Sequence, residues 1–257
     1  MKWMWVFGMR RKRRIRIVIM GNLVAILFSC LFFGKMGFVK HIPLFEKNRK
    51  IVNTGSKQKN NKEFLYTVVI DPGHGGFDPG KVGVSNTLEK DVNLSIAKEL
   101  RLYLQQKNIN VYMTREEDNA LSDGLGGSKK SQDMRMRAAM MCSSGTSIAV
   151  SIHQNSFPAQ SVNGCQVFYY QDSVEGKQLA DLVSEKVRME IPTMRQREPK
   201  PNRDYYILKK VTCPVVIVEC GFLSCPEEEI LLKEEWYQKQ LAKGIGEGMM
   251  AYLGLYE

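Results

Sequence analysis

Histidine is scarce in this chain. Of the three present, His41 lies in a polar stretch, whereas His74 and His153 each follow a short apolar, β-branched run. Two carboxylates take comparable places: Glu219 follows Val215–Val218, and Glu89 precedes a helical pattern that starts at Lys90. Two imidazoles and one carboxylate suit a single zinc ion with a fourth position left for water. A further carboxylate is then needed to carry protons. The four groups are present but form no compact local pattern such as HExxH, so only the fold can bring them together. On spacing alone, a histidine after a strand serves equally as a hydrogen-bonding loop residue. A lone glutamate beside apolar residues can equally be a cap or an ion-pair partner.

The elements that would position these groups alternate. Leu65–Ile70 reads as a buried strand ending at the Asp71-Pro72-Gly73 turn. Lys90–Gln106 reads as a helix, with Val92, Ile96, Leu100 and Tyr103 at helical spacing. Strands follow at Ile109–Met113, Ser147–Ile152, Gln166–Tyr170 and Val215–Val218, and helices at Gln132–Ser143 and Val174–Ile191. Pro226 suits a helix start, with Glu227, Glu228 and Glu229 in the first turn. This order predicts an α/β fold: a single domain with a twisted, mostly parallel central sheet flanked by helices. His74, His153 and Glu219 would then sit at the C-terminal strand edge, where open α/β sheets bind ligands. Gly73, Gly75 and Gly76 let the chain turn tightly beside His74. Arg115, Arg135 and Arg137 default to solvated or ion-paired surface, and the basic stretch Arg195 to Arg203 to a loop near the cleft entrance.

Charge separates the chain into two parts. Residues 1–62 hold 15 Lys/Arg against one acidic residue, and the remaining 22 Lys/Arg face 26 Asp/Glu. The formal charge of +10 therefore belongs to the N-terminal part, and no finger or RNA-binding signature accompanies it. Nucleic acid is excluded as a partner on that ground. The arginine-rich segment 1–16 precedes a largely apolar run at 17–34, close to the roughly 17–25 residues that span a bilayer. Positive residues stay on the cytoplasmic side, so the rest of the chain is expected outside the cytoplasm. A cleaved signal peptide is the rival, but no small-x-small site follows the run. A polar tether at 35–63 and a catalytic domain at 64–257 complete the expected layout. The six cysteines show no CxxC spacing, which excludes a cysteine zinc site. Cys220 and Cys225 are expected to be buried packing. An exterior location permits a disulfide, but spacing does not say which cysteines pair.

Four segments carry a resemblance. Val68-Val69-Ile70-Asp71-Pro72-Gly73-His74-Gly75-Gly76 resembles the opening motif of the zinc-dependent N-acetylmuramoyl-L-alanine amidases of the Amidase_3 family. Glu89-Lys90-Asp91-Val92-Asn93-Leu94 is similar to their second motif, Ser151-Ile152-His153-Gln154-Asn155 to the third, and Val218 to Ser224 to the fourth. The resemblance implies that His74, Glu89 and His153 hold one Zn2+ ion and that Glu219 is the catalytic glutamate. It implies cleavage of the amide between the lactyl group of N-acetylmuramic acid and L-alanine, with peptidoglycan glycan and its stem peptides as partner. Cys225, Gln154, Ser156 and Met140 depart from the family's commonest residues without touching those four. An anchor followed by one domain resembles the germination-specific, spore-cortex members, whose cleavage leads to muramic lactam. Two rivals are a non-catalytic wall-binding protein on the same fold and a zinc peptidase acting on stem peptides.

Overall fold

Alternating apolar side chains along the first strand set the two faces of the sheet. The structure is a computed structural model that describes residues 65–255 apart from 123–125, 144 and 196. The basic segment, the apolar run and the whole tether expected above lie outside the described residues. Among the described residues, no helix is long and apolar enough to cross a membrane.

The chain order is β1 (Thr67–Pro72), α1 (Glu89–Gln106), β2 (Asn110–Met113), α2 (Lys129–Met141), β3 (Ile148–Asn155), β4 (Gln166–Tyr170), α3 (Val174–Glu190), β5 (Lys200–Asn202), α4 (Tyr206–Lys210), β6 (Val215–Phe222), α5 (Pro226–Lys233) and α6 (Glu235–Tyr252). The strands lie in the order β2-β1-β3-β6-β4-β5. β2, β1, β3 and β6 run parallel to one another, as expected for strands joined by helices. β4 pairs antiparallel with β6 and parallel with β5. Four of the five strand pairs are parallel, so the sheet is mixed but mostly parallel, as expected, with β4 and β5 reversed at one edge.

Successive strand residues point to opposite faces, and the packing follows that rule. Val68, Ile70, Ile148, Val150, Ile152, Val216 and Val218 meet the apolar stripes of α1, α3 and α6 in one core. Val69, Ala149, Val215 and Ile217 meet α2 and α4 in a smaller one. Burying each such side chain contributes about 1.5–3 kcal/mol. Local signals start the helices: the Ser128 and Ser173 hydroxyls accept backbone N–H bonds from Ser131 and Gly176, and Pro226 opens α5. α6 has no counterpart in the elements read from sequence. It closes the larger core across Gly244 and Gly248, where a Cβ would stand 2.7 Å and 2.4 Å from the Val187 and Val183 Cα atoms of α3.

Two other expectations change. The 195–203 stretch contains the edge strand β5, and the cleft is lined instead by Tyr205 and Tyr206 just beyond it. Arg115 and Arg137 are buried, at 3% and 2% exposure, and are not surface residues.

Candidate active site

β1 delivers the first ligand candidate. After Pro72 the chain turns through Gly73 into His74, which holds φ at 61°, the left-handed region. A non-glycine residue there costs on the order of 1–3 kcal/mol unless its surroundings fix it. Two buried arginines do so. Arg137 donates to the Pro72 and His74 carbonyls at 2.7 and 2.5 Å, and Arg115 to the Pro72 and Gly73 carbonyls at 3.0 Å each. Gly73 meets a second demand: a Cβ on it would lie 2.2 Å from Cε1 of His153. Only a bare backbone passes over that ring.

Arg137 is itself held by carboxylates, donating to Asp71 at 2.8 Å and Asp133 at 2.6 Å. Asp71 also accepts from Thr114 and Ser151 at 2.6 and 2.7 Å. Burial works against its charge, but Arg137 and these hydroxyls hold the carboxyl below its usual range. Burial likewise works against the Arg137 charge, yet Asp71 and Asp133 push its pKa upward.

Glu89 is the first residue of α1, not a loop residue ahead of it. A carboxylate suits that positive helix end. Its Oε1 lies 3.0 Å from His153 Nδ1 and 3.2 Å from His74 Nε2, and accepts from the Gln154 N–H at 3.1 Å. Its Oε2 accepts from the Lys81 N–H at 2.7 Å. Burial pushes Glu89 up, but bonding to both imidazoles overcomes this and holds it far below the carboxylate range. Burial pulls His153 down, and its bond to Glu89 more than reverses that.

Glu219 stands beside this group. It pairs in register with His153 on the neighbouring strand, just before a β-bulge that shifts the register by Asn155 and Phe222. Bulges recur where a sheet must re-aim a side chain. Glu219 is 9% exposed, and its Oε2 is buried with no hydrogen-bond partner among the described residues. Burial raises its pKa to about 7; His153 opposes this and Glu89 adds to it.

The structure thus brings together all four residues singled out in the sequence. One ligand atom from each of His74, Glu89 and His153 falls within 4.8 Å of the others, a group that can hold one metal ion. The donor chemistry fits zinc. Asp78 strengthens the fit: its Oδ2 lies 3.0 Å from His74 Nδ1, which leaves Nε2 to face the cluster. Such outer carboxylates orient metal-binding imidazoles. The site opens into a cleft of about 550 Å³, bounded on one side by Tyr205 and Tyr206 and on another by Lys81 and Lys130. Sequence reasoning missed Asp78, the buried Arg137 pair and the tyrosine wall. The spacing of His74 and Asp78 was the one available signal.

An α/β sheet with a His-Glu-His group and a free buried glutamate at its C-terminal strand edge defines a hydrolase-type centre. The chain belongs to the Amidase_3 family, N-acetylmuramoyl-L-alanine amidase, whose model matches residues 68–251. It is 37% identical over 188 residues to the germination-specific N-acetylmuramoyl-L-alanine amidase of Bacillus subtilis, covering 72% of this chain and 78% of that one. It is 30% identical over 209 residues to the probable cell wall amidase LytH of Staphylococcus aureus, covering 80% of this chain and 64% of that one. Among solved structures, the CwlD amidase from Clostridioides difficile, in complex with the GerS lipoprotein, superposes with a TM-score of 0.70 at 35% identity. That match covers 74% of this chain and 99% of that one.

Proposed function

We propose that the domain is a zinc-dependent N-acetylmuramoyl-L-alanine amidase in which His74, Glu89 and His153 hold the ion and Glu219 moves the proton. The observation that carries this reading is the unpartnered Glu219 carboxylate, buried in register beside the three-donor group. A buried, unsatisfied carboxylate is costly, and its placement is explained by a role in chemistry. Zinc, when bound, would polarise the lactyl carbonyl and make an adjacent water acidic.

The chain's own groups do the rest. Glu219 accepts the proton of the attacking water, and burial, which raises its pKa, makes its carboxylate the better proton acceptor. It then hands that proton to the departing L-alanine nitrogen. Asp78 keeps His74 in one tautomer, and Arg115 and Arg137 hold the His74 loop against the sheet. The cleft takes the muramoyl and stem-peptide portions of the substrate. The germination-specific relative supports a spore-cortex role, with muramic lactam formed after the peptide is removed. The apolar run at 17–34 supports attachment to the membrane, with the catalytic domain outside the cytoplasm.

The test is muropeptide digestion with wild type and Glu219→Ala, with zinc content measured on both. The reading expects new L-alanine amino ends and free lactyl groups from wild type. The variant keeps zinc and loses about 10²–10⁴-fold in kcat, the usual share of a general acid–base. Equal activity in both removes Glu219 from the reaction. Cleavage within the stem peptide makes the protein a peptidase, and absence of any product makes it a binding scaffold.

A further inference from the structure

All five described cysteines are free thiols. Two of them stand apart from the rest. Cys142 caps the C-terminal end of α2, and Cys213 lies between α4 and β6. The Cys142 sulfur is 3.6 Å from the Lys210 carbonyl oxygen, and the Cys213 sulfur is 3.6 Å from the Met141 carbonyl oxygen. Each sulfur therefore rests against the backbone of the segment that carries the other. Met141 is bonded to Cys142 itself, so the Cys213 sulfur lies against the peptide that carries Cys142, and the two thiols are near enough for Cys142 to raise the Cys213 pKa.

Access separates this pair from the other thiols. Cys142 and Cys213 are both partly exposed, and Cys213 lines an open cleft of about 480 Å³. Cys165, just before β4, and Cys220, on the β6 strand that pairs with it, also neighbour one another, but both are buried. Burial pushes the Cys165 thiol up to about 12 and leaves it inert to an oxidant in solution. Cys225 is buried as well.

We propose that Cys142 and Cys213 form an intramolecular disulfide that ties the end of α2 to the segment entering β6. The oxidant is a small-molecule or protein disulfide. One cysteine thiolate attacks it, forming a mixed disulfide and releasing one thiolate. The second cysteine, having lost its proton to water, attacks the sulfur of the first and releases the other thiolate. One S–S bond forms in the protein, one breaks in the oxidant, and the oxidant is reduced to two thiols. Burial and the neighbouring Cys142 push the Cys213 thiol up to about 11, so the second step quickens as pH rises.

The link joins two elements that serve the site. α2 carries Asp133 and Arg137, which hold the His74 loop, and β6 carries Glu219. It closes a loop of roughly 70 residues, long enough for a sizeable restriction of the unfolded chain. The inference is independent of the amidase reading, because it needs only an oxidising setting.

The test uses the purified full chain incubated with oxidised glutathione, then acid-quenched, digested and mapped by mass spectrometry. The expected result is one peptide pair joining Cys142 to Cys213, with a melting temperature raised by about 5–15 °C and restored by dithiothreitol. Cys142→Ser and Cys213→Ser each lose the link and the shift, and Cys225→Ser keeps both. Unmodified thiols at both positions, glutathione retained on each, or links to other cysteines or to a second chain would overturn the proposal. The wild-type peptide map decides the matter even if a serine variant fails to fold.

Discussion

Along β1, β3 and β6, the two faces of the same strands are built from different chemistry. On one face, Val68, Ile70, Ile148, Val150, Ile152, Val216 and Val218 are apolar and lie under three long helices, up to Gln154 at the end of β3, which donates to Asn93 of α1. On the other, Val69, Ala149, Val215 and Ile217 are apolar, and then the same columns turn to Asp71, Ser151, His153 and Glu219 at the C-terminal edge. The first face mainly stabilises, although α1 packed on it lends Glu89 to the site; the second carries His153 and Glu219. Its buried charges, its left-handed His74 and its unpartnered Glu219 all work against stability. The contrast teaches that period-two alternation lets one strand serve both ends without compromise. A residue moved from one column to the other would fail in its new place.

The largest way to break this contrast is to open the buried ion pair. Arg137→Met leaves Asp71 and Asp133 without their cation and is expected to cost about 3–5 kcal/mol in urea unfolding. Leu100→Ala, on the apolar face, is expected to cost about 2–5 kcal/mol through its cavity, with zinc affinity and kcat of the folded protein unchanged. If Leu100→Ala altered zinc affinity as strongly as Arg137→Met, the two faces would not be separable.

A smaller effect sharpens the comparison within the site. Asp78→Ala removes the partner of His74 Nδ1. Zinc affinity is expected to fall about 10–100-fold with stability of the zinc-free protein little changed, as read by metal titration. A further effect, of comparable size, concerns pH. Glu219 titrates near 7 in the folded chain, above the usual carboxylate value near 4.5. With a raised folded pKa, its stability contribution is whole below pH 4.5 and is lost as pH rises through 7. In zinc-free protein, Glu219→Gln is therefore expected to match wild type near pH 4 and to be more stable by about 2–3 kcal/mol at pH 8. A constant difference across that range would show that the carboxyl is not perturbed.

The four chemical residues were legible because each adjoins an apolar run or helix with a clear periodicity, although the strands run on through His153 and Glu219. His153 and Glu219 follow β-branched runs that can only be buried strands, and Glu89 opens a helix with a regular apolar stripe. Their convergence rested on motif order and not on spacing, since Glu89 and His153 meet across 64 positions. The networks behind them were hidden for the same reason. Nothing local marks Arg137 as buried; its partner Asp71 is 66 residues away. An arginine on a helix reads as surface until its carboxylate is located.

α6 escaped notice for a different reason. Gly244, Gly246 and Gly248 weaken its helical signal, yet two of them are what allow its backbone to approach α3. The antiparallel direction of β4 was also unreadable, because its five residues suit either direction and the 156–165 connection sets it. The thiol pair at Cys142 and Cys213 was left open by spacing and was exposed only by the fold.

The most direct measurement is zinc stoichiometry and affinity for wild type beside His153→Ala, with circular dichroism confirming that both are folded. The account predicts one zinc per wild-type chain, and for His153→Ala no stoichiometric zinc and no amidase products. A folded His153→Ala protein that still holds one zinc per chain with undiminished affinity would contradict the ligand set on which the function rests.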